Sequence, residues 1–355
     1  MTAINRNIEK LPSFGLSVVA SGVVLAILVL GKSFLVPLAI AILFWHLLGA
    51  LIDDLGRLTV SRFRLPRWFA TILAIGLILL FLYVTTIVLL DQGNAIADAW
   101  PRYAERMKSI IAGLADWLGE GLSAKVREQI GKIDVTRQAA GLFTSAGSLV
   151  INIVVVFVYV AFLFVERRYI NDKLGALFPD TEVTHDTEKM LSAISMDIRR
   201  FIWIKTLMGM MTGVLSYAVL RAMGVDFAET WALLIFLLYY IPYVGAALGV
   251  IFPALVTWVQ FDTIESFLGV GFGLGAIYGI VGNFVEPMLM GKSLNLSAFA
   301  IVLSLTFWGM IWGIAGMFLS VPIMIGTMIV CAHVPSWRWA SILLSKDGRV
   351  SDGSR

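Results

Sequence analysis

The chain has 355 residues, of which 59% are hydrophobic and only 14% are charged, and its mean hydropathy is +0.88. A soluble protein of this length needs far more charge to cover its surface, so the composition excludes a soluble globular protein and predicts a polytopic membrane protein. The formal net charge of +3 is too small to indicate nucleic-acid binding. The single cysteine, Cys331, excludes an intrachain disulfide and any CxxC metal or redox motif.

The first half of the chain contains apolar segments that approach the roughly 20 residues needed to cross a bilayer. We predict spans at residues 16–30, 34–52, 68–90 and 149–165. Basic residues follow the second and the fourth span: Arg57, Arg62, Arg64, Arg67, Arg167 and Arg168. Because cytoplasmic loops carry the excess of Lys and Arg, we expect both termini to be cytoplasmic.

Residues 91–146, between the third and fourth spans, form a predicted extramembrane helical insertion. Its apolar residues step by three or four positions, as expected for one face of an amphipathic helix: Ile96, Trp100, Tyr103, Met107, Ile110, Leu114 and Trp117. Such a helix lies on a membrane or docks on a partner subunit, and direct substrate binding is the alternative to this interfacial or packing role. A loop of this length translocates whatever its basic residues, so we expect it outside the membrane on the external face.

After the fourth span we expect a cytoplasmic helical region at residues 167–204. A turn at Pro179 precedes a predicted helix that begins at about Thr187 and enters the membrane at Phe201. Three cations near this entry either extend to lipid headgroups or hold a neighbouring helix: Arg199, Arg200 and Lys205. The predicted organisation is therefore N-terminal membrane helices at 1–90, the insertion at 91–146, a transport core at 147–340 and a polar tail at 341–355.

The last third of the chain contains two long runs without Asp, Glu, Lys or Arg, at residues 230–261 and 293–337. As straight helices they would be about 48 Å and 67 Å long, against roughly 30 Å of hydrocarbon. Each run also contains helix breakers or hinge candidates: Pro242, Gly245 and Gly249 in the first, and Gly313, Gly316 and Pro322 in the second. We therefore expect broken or re-entrant helices. Such breaks indicate a transport site, because non-helical backbone at membrane depth must be buried in protein or line a cavity.

Between these runs, the stretch "GNFVEPMLMG" at residues 282–291 carries one carboxylate in apolar surroundings. Pro287 disfavours helical geometry at Glu286, so we expect the helix to end near Val285, with the carboxylate at the negative end of the helix dipole. Lys292 or a proton would offset that charge, since burial favours the protonated carboxyl. Two interpretations stay open: a proton- or substrate-linked site within the membrane, or a residue at headgroup level.

Neutral polar side chains accompany the breaks, and they include Asn283, Tyr240 and Tyr243. A neutral solute rich in hydroxyl groups requires such donors and acceptors. Together with Glu286 these residues are candidates for the substrate pathway. An interfacial aromatic belt is the alternative for the tyrosines of this segment; it is favoured for Tyr239 but not for Tyr243, which lies inside the break.

An intramembrane enzyme is disfavoured by the absence of catalytic motifs from the sequence. None of His46, His185 and His333 begins an HExxH motif or has a companion at metal-ligand spacing, and no GxGD occurs. The sequence therefore predicts no metal site and no cofactor. A cation/proton antiporter is the alternative transporter class, with Glu286 and Asp262 as its ion ligands.

Two segments resemble a known family: "YYIPYVGAALG" at residues 239–249, and "GNFVEPMLMGKSLNLSAFAIVLSLTFWGMIWGIAGMFLSVP" at residues 282–322. They resemble the AI-2E family of bacterial inner-membrane transporters, and "NFVEP", "LSLTFWG" and "GMFLSVP" are similar to the subgroup that contains the autoinducer-2 exporter. The resemblance implies an all-α membrane protein with about eight transmembrane segments. It also implies export of a small neutral or weakly polar solute, a role in quorum sensing, and a homo-oligomer, in this family a pentamer.

Overall fold

The computed structural model describes residues 10–57, 59–60, 63–64, 66–117, 154–177, 181–290 and 295–348. These residues are almost entirely helical, which confirms the predicted all-α fold. Two short strands, β1 at Thr59–Val60 and β2 at Phe63–Arg64, pair antiparallel in the arginine-rich loop.

The helices of the first half follow the predicted spans. They are α1 at Lys10–Leu30, α2 at Lys32–Arg57, α3 at Arg67–Trp117 and α4 at Val154–Glu166. Helix α3 has 51 residues, so the third span and the first part of the amphipathic insertion form one continuous helix about 76 Å long. The rest of the insertion, residues 118–146, lies outside the described residues.

A 3-10 turn at Arg167–Tyr169 leads into α5 at Ile170–Leu177 and then α6 at Thr181–Ala222. Helix α6 begins earlier than the predicted Thr187, because no Gly or Pro interrupts the chain between Pro179 and Gly209. The later helices are α7 at Ala228–Leu238, α8 at Val244–Phe261, α9 at Ile264–Ile280, α10 at Glu286–Met290, α11 at Ala298–His333 and α12 at Arg338–Leu344. A π-helical turn at Val281–Val285 joins α9 to α10.

Among the described residues, six helices are long and apolar enough to cross a membrane by length and composition. They are Lys32–Gly56, Trp68–Gly93, Val183–Ala222, Val244–Phe261, Ile264–Met290 and Ala298–His333. Shorter apolar helices occur at Val18–Leu30, Val154–Glu166 and Ala228–Leu238. The chain is therefore an all-α polytopic membrane protein.

The chain divides into two compact units. The first contains Met1–Trp45, Val155–Ile194 and Asn295–Arg355, and the second contains His46–Val154 and Ser195–Leu294. The core of the second unit is a cluster of buried side chains from α6 to α9: Ile204, Met208, Leu220, Val225, Ala228, Ile235, Tyr239, Ala254, Val270, Leu274, Tyr278 and Val281.

In the second unit, α7 and α8 form a helical hairpin, here called the first hairpin (residues 228–261). Its tip is the non-helical segment 239–243. Immediately beyond the tip, Gly245 lies so close to the first arm that a Cβ there would be 1.8 Å from the Leu238 carbonyl oxygen. At the open end, the Gln260 amide donates to the Gly224 carbonyl at 2.9 Å and accepts from the Asp226 backbone N–H at 2.8 Å.

The part of α3 that follows its candidate span Trp68–Gly93 contacts this open end of the first hairpin. The Tyr103 hydroxyl donates to Asp226 Oδ2 at 2.7 Å, and the Arg106 guanidinium donates to the carbonyls of Val259 and Gln260. Burial and the hydrogen bond to Asp226 raise the pKa of Tyr103, so this phenol stays protonated and acts as a donor. The predicted amphipathic helix therefore packs against another element of the protein at this point.

In the first unit, α11 is itself folded into a second hairpin at Gly313, whose φ of 63° and ψ of −140° are non-helical. The Ser304 hydroxyl donates to the Ser320 carbonyl at 3.0 Å. In a straight helix these residues, 16 positions apart, would be separated by about 24 Å. Near the tip, a Cβ on Gly316 would lie 1.9 Å from the Trp308 carbonyl oxygen. The described helix of this run is therefore broken at Gly313 and folds back on itself, as expected for a broken or re-entrant helix.

Candidate functional site

The tip of the first hairpin is built on a strained backbone turn. Tyr243 has φ 60° and ψ −56°, and the Val244 N–H donates to the Pro242 carbonyl at 2.6 Å, which closes a γ-turn with positive φ. This conformation is rare for a residue with a side chain. The adjacent close approach of Gly245 to Leu238 requires it, because the chain must reverse within five residues. Strain of this kind concentrates at functional sites.

A buried ion pair lies beside this tip. Lys205 Nζ of α6 is 2.7 Å from Glu286 Oε1, and the two side chains are only 9% and 15% exposed. Measured along α6, Lys205 lies 17 residues, or about 25 Å, from the helix end at Ala222. Paired charges at such a position are expensive to bury and are usually functional in membrane proteins.

Tyr239 connects the ion pair to the hairpin tip. Its hydroxyl donates to Glu286 Oε2 at 2.7 Å, and its ring lies 4.9 Å from Lys205 Nζ in a cation–π contact. The ring also stacks on that of Tyr278, with centroids 5.8 Å apart. Tyr239 is 6% exposed, so it is part of the buried cluster rather than an interfacial belt. We name Lys205, Glu286 and Tyr239 the tip cluster.

The neighbouring candidate, Tyr240, is also buried. Its hydroxyl is hydrogen-bonded to the hydroxyl of Thr206, which in turn donates to the Ile202 carbonyl at 2.8 Å. Consecutive tyrosines of the tip therefore contact consecutive residues of α6, since Tyr239 meets Lys205 and Tyr240 meets Thr206.

The π-helical turn places Glu286 in this arrangement. Its wide turn is closed by the Glu286 N–H, which donates to the Val281 carbonyl five residues back. The expected helix end near Val285 is therefore wrong, because Glu286 itself has helical φ −60° and ψ −49°. A widened turn makes room for the ring of Pro287, which in an ordinary α-helix clashes with the carbonyl four residues earlier.

Two other pathway candidates, Asn283 and Tyr243, have exposed side chains. The Asn283 amide donates to the Gly279 carbonyl of its own helix at 3.1 Å. Tyr243 is 57% exposed at the hairpin tip. The structure therefore brings Glu286 and the buried tyrosines into one cluster and leaves these two residues at the surface of the second unit.

The expected helix breakers have different local roles. Pro242 and Gly313 lie at the tips of the two hairpins, and Gly245 and Gly316 allow the arms to meet behind those tips. Gly249, Pro287 and Pro322 do not break a helix, because α8, α10 and α11 continue through them. Gly249 packs against Tyr278, whose hydroxyl would lie 2.3 Å from a Cβ at this position.

The two arginines next to the cluster also hold neighbouring elements. Arg199 forms an ion pair with Asp53 of α2. Arg200 donates to the carbonyls of Leu289 and Met290 at 3.4 Å and 3.2 Å, at the end of α10. For these cations, contact with a neighbouring helix is therefore observed.

The partner of Glu286 is the feature that sequence reasoning missed. Lys292 lies outside the described residues, and the cation that pairs with Glu286 is Lys205. One signal was present in the sequence: Lys205 is the only charged residue between Arg200 and Arg221, and Glu286 is the only one between Glu265 and Lys292.

The antiporter alternative requires Glu286 and Asp262 as a pair of acids, but they lie at opposite ends of the first hairpin. Glu286 contacts Tyr239 at the tip, whereas Asp262 follows the last residue of α8, 18 residues or about 27 Å away along that helix. Within the described part of the chain, no group of three or more His, Cys, Asp or Glu residues could hold a metal ion.

Helical hairpins and a buried polar cluster within apolar helices are features of membrane transport proteins. Comparison with known proteins gives the family. The sequence profile described as "AI-2E family transporter" matches residues 17–335, and the chain belongs to this family.

Individual relatives are distant, and the first two below match along most of their length. The AI-2 transport protein TqsA of Escherichia coli K12 is 27% identical over 340 residues, which are 93% of this chain and 96% of TqsA. A Haemophilus influenzae protein, named in general terms for transport, is 28% identical over 302 residues, 82% of this chain and 85% of its own. A similarly named Borreliella burgdorferi protein is 33% identical over 187 residues, about half of each chain.

Proposed function

We propose that this chain exports a small neutral or weakly polar solute of the autoinducer-2 type across a bacterial inner membrane. The observation that carries the proposal is the tip cluster. Its carboxylate and ammonium neutralise each other, so the buried polar centre of the second unit has no net charge to attract an ion. The cluster contains the Tyr239 phenol, and the hydroxyls of Tyr240 and Thr206 belong to the next residues of the tip and of α6; hydroxyl groups of this kind recognise a ligand rich in hydroxyls.

The relationship to TqsA supports this solute class. TqsA is named as an AI-2 transport protein and aligns over almost the whole chain. Because one fold serves several substrates, the family alone does not fix the solute. A screen of solutes in the medium of cells with and without the protein is therefore the first experiment, and autoinducer-2 is the first compound to measure.

The pathway residues are tested by efflux from proteoliposomes loaded with a furanosyl diol. Asn283→Ala and Tyr243→Phe each remove a polar group from an exposed position, so we expect weaker apparent affinity with an unchanged folded yield. Thr327→Val is a matched control, since its hydroxyl only donates to the Ile323 carbonyl of its own helix. Unchanged affinity in both pathway variants refutes their assignment.

We further propose that Glu286 couples efflux to protons. Ionisable side chains within membrane segments usually mark an ion or proton pathway, and Glu286 is the carboxylate of the buried pair at the hairpin tip. Glu286→Gln mimics the protonated form and should abolish the pH dependence of efflux while solute exchange persists. Because this change leaves Lys205 without its anion, the pair Lys205→Met and Glu286→Gln together is the matched control. If the Gln variant keeps the wild-type pH profile, the coupling proposal is wrong.

The basic loops and the family resemblance support two further proposals: cytoplasmic termini with residues 91–146 outside, and a homo-oligomer, in this family a pentamer. A cysteine at position 120 in a Cys331→Ser background should react with an impermeant maleimide from outside intact cells. Labelling there only from the cytoplasm refutes the topology. Native mass spectrometry of the purified protein measures the number of subunits.

A further inference from the structure

We infer that Lys205 is a positioning residue: it is the counter-ion of Glu286, and through Tyr239 the pair holds the tip of the first hairpin against α6 and α10. The fastening can open at the Tyr239 contact without leaving a charge unpaired. Its part in transport rests on the proposed function, whereas the fastening itself is a property of the fold and is measurable without any solute.

The two carboxylate oxygens of Glu286 bind different partners. The hydrogen bond to Tyr239 can therefore break while the ion pair with Lys205 stays intact. Oε1 is 2.7 Å from Lys205 Nζ, and Oε2 accepts the Tyr239 hydroxyl at 2.7 Å. The Tyr239 hydroxyl can therefore move away from Oε2 while Lys205 continues to neutralise the carboxylate. The hydrogen bond that opens joins a neutral donor to a charged acceptor, so the separation moves no net charge.

The same contact would be far more costly to open if Lys205 were absent. Glu286 would then be a single anion among apolar helices, and Tyr239 would be its main hydrogen-bond donor among the described contacts. A buried charge that loses its partner is strongly destabilised. The ammonium also lies over the Tyr239 ring at 4.9 Å, so Lys205 guides the ring into place as well as balancing the carboxylate.

The hairpin is held differently at its two ends. At the open end, backbone carbonyls of Gly224, Val259 and Gln260 accept hydrogen bonds from Gln260 and Arg106 side chains. At the tip, side-chain contacts from Tyr239 and Tyr240 attach a turn whose backbone is strained at Tyr243. A strained turn held by side chains is the end that moves when those contacts open.

Hydrogen–deuterium exchange of the purified full-length protein in detergent tests the fastening. Tyr239→Phe removes one hydrogen bond to a carboxylate, so exchange in a peptide covering residues 239–247 should accelerate about tenfold. Tyr217→Phe is the matched control, because it removes another Tyr–Glu hydrogen bond, to Glu229 near the open end of the same hairpin. It should leave the tip unchanged. Equal tip exchange in wild type and Tyr239→Phe overturns the inference.

A double-mutant cycle on melting temperature tests the role of Lys205. Lys205→Met and Glu286→Gln should each lower the melting temperature, because each strands one buried charge. The double variant has neither charge and should recover most of the loss in melting temperature. The difference between its effect and the sum of the two single effects gives the coupling energy of the Lys205–Glu286 pair. If Lys205→Met has the wild-type melting temperature, or if the loss in the double variant equals the sum of the two single losses, Lys205 is not the counter-ion of Glu286.

Discussion

The most stringent prediction concerns Gly245, where the two arms of the first hairpin meet. A Cβ at this position would lie 1.8 Å from the Leu238 carbonyl oxygen and 2.7 Å from its carbonyl carbon. Ordinary contact begins at 3.4 Å, so Gly245→Ala requires a separation of 3.4 − 1.8 = 1.6 Å at this level. Both opposing atoms belong to the backbone, so no side chain can rotate away. We expect a cost of about 3 kcal/mol, the upper end for overpacking, which is roughly a 100-fold loss in the folded-to-unfolded ratio.

Thermal unfolding in detergent, followed by size-exclusion chromatography, measures this cost, and the chain offers a matched control. Gly275 lies inside α9, where an alanine Cβ would have no neighbouring atom within 4 Å, so Gly275→Ala should be neutral or stabilising by up to about 1 kcal/mol. The two variants add the same methyl group to the same unit. If the two variants have the same melting temperature, the arms of the first hairpin do not make the contact described at Gly245.

Three further results are expected. Gly313→Ala should destabilise by about 1–3 kcal/mol although space is available, since φ 63° with ψ −140° suits only glycine; the melting temperature measures it. Arg106→Ala should accelerate hydrogen exchange at the open end of the first hairpin and leave its tip unchanged, because only the contacts to Val259 and Gln260 are lost. In a Cys331→Ser background, Asp262→Cys should be labelled from outside cells and Lys346→Cys only after permeabilisation; the reverse pattern refutes the topology.

Composition and run length were sufficient to predict the class of the fold and the presence of two interrupted segments. A run of 45 residues without Asp, Glu, Lys or Arg cannot be one crossing, whatever its neighbours are. The exact positions of the breaks were harder to predict from the sequence. Proline and glycine are also tolerated inside membrane helices when neighbouring groups pack against them, as at Gly249 against Tyr278.

The sequence identified only one member of the ion pair in the tip cluster. Glu286 was identifiable as a lone carboxylate, but its partner Lys205 is 81 residues away along the chain, and pairing at that separation depends on how α6 packs beside α10. The π-helical turn could not be predicted either. Its wider turn relieves the clash between the Pro287 ring and the carbonyl four residues earlier, and such a turn has no distinctive sequence pattern.

The helical hairpins bear on the proposed location of the termini. A hairpin that enters and leaves the membrane on the same face adds no crossing, so we expect that neither the first hairpin nor α11 crosses the membrane from one side to the other. The crossings expected among the described helices are then α2, α3, α6 and α9, together with the shorter apolar helices α1 and α4. Six is an even number, as two termini on one side of the membrane require, and the arginine-rich loops favour the cytoplasmic side.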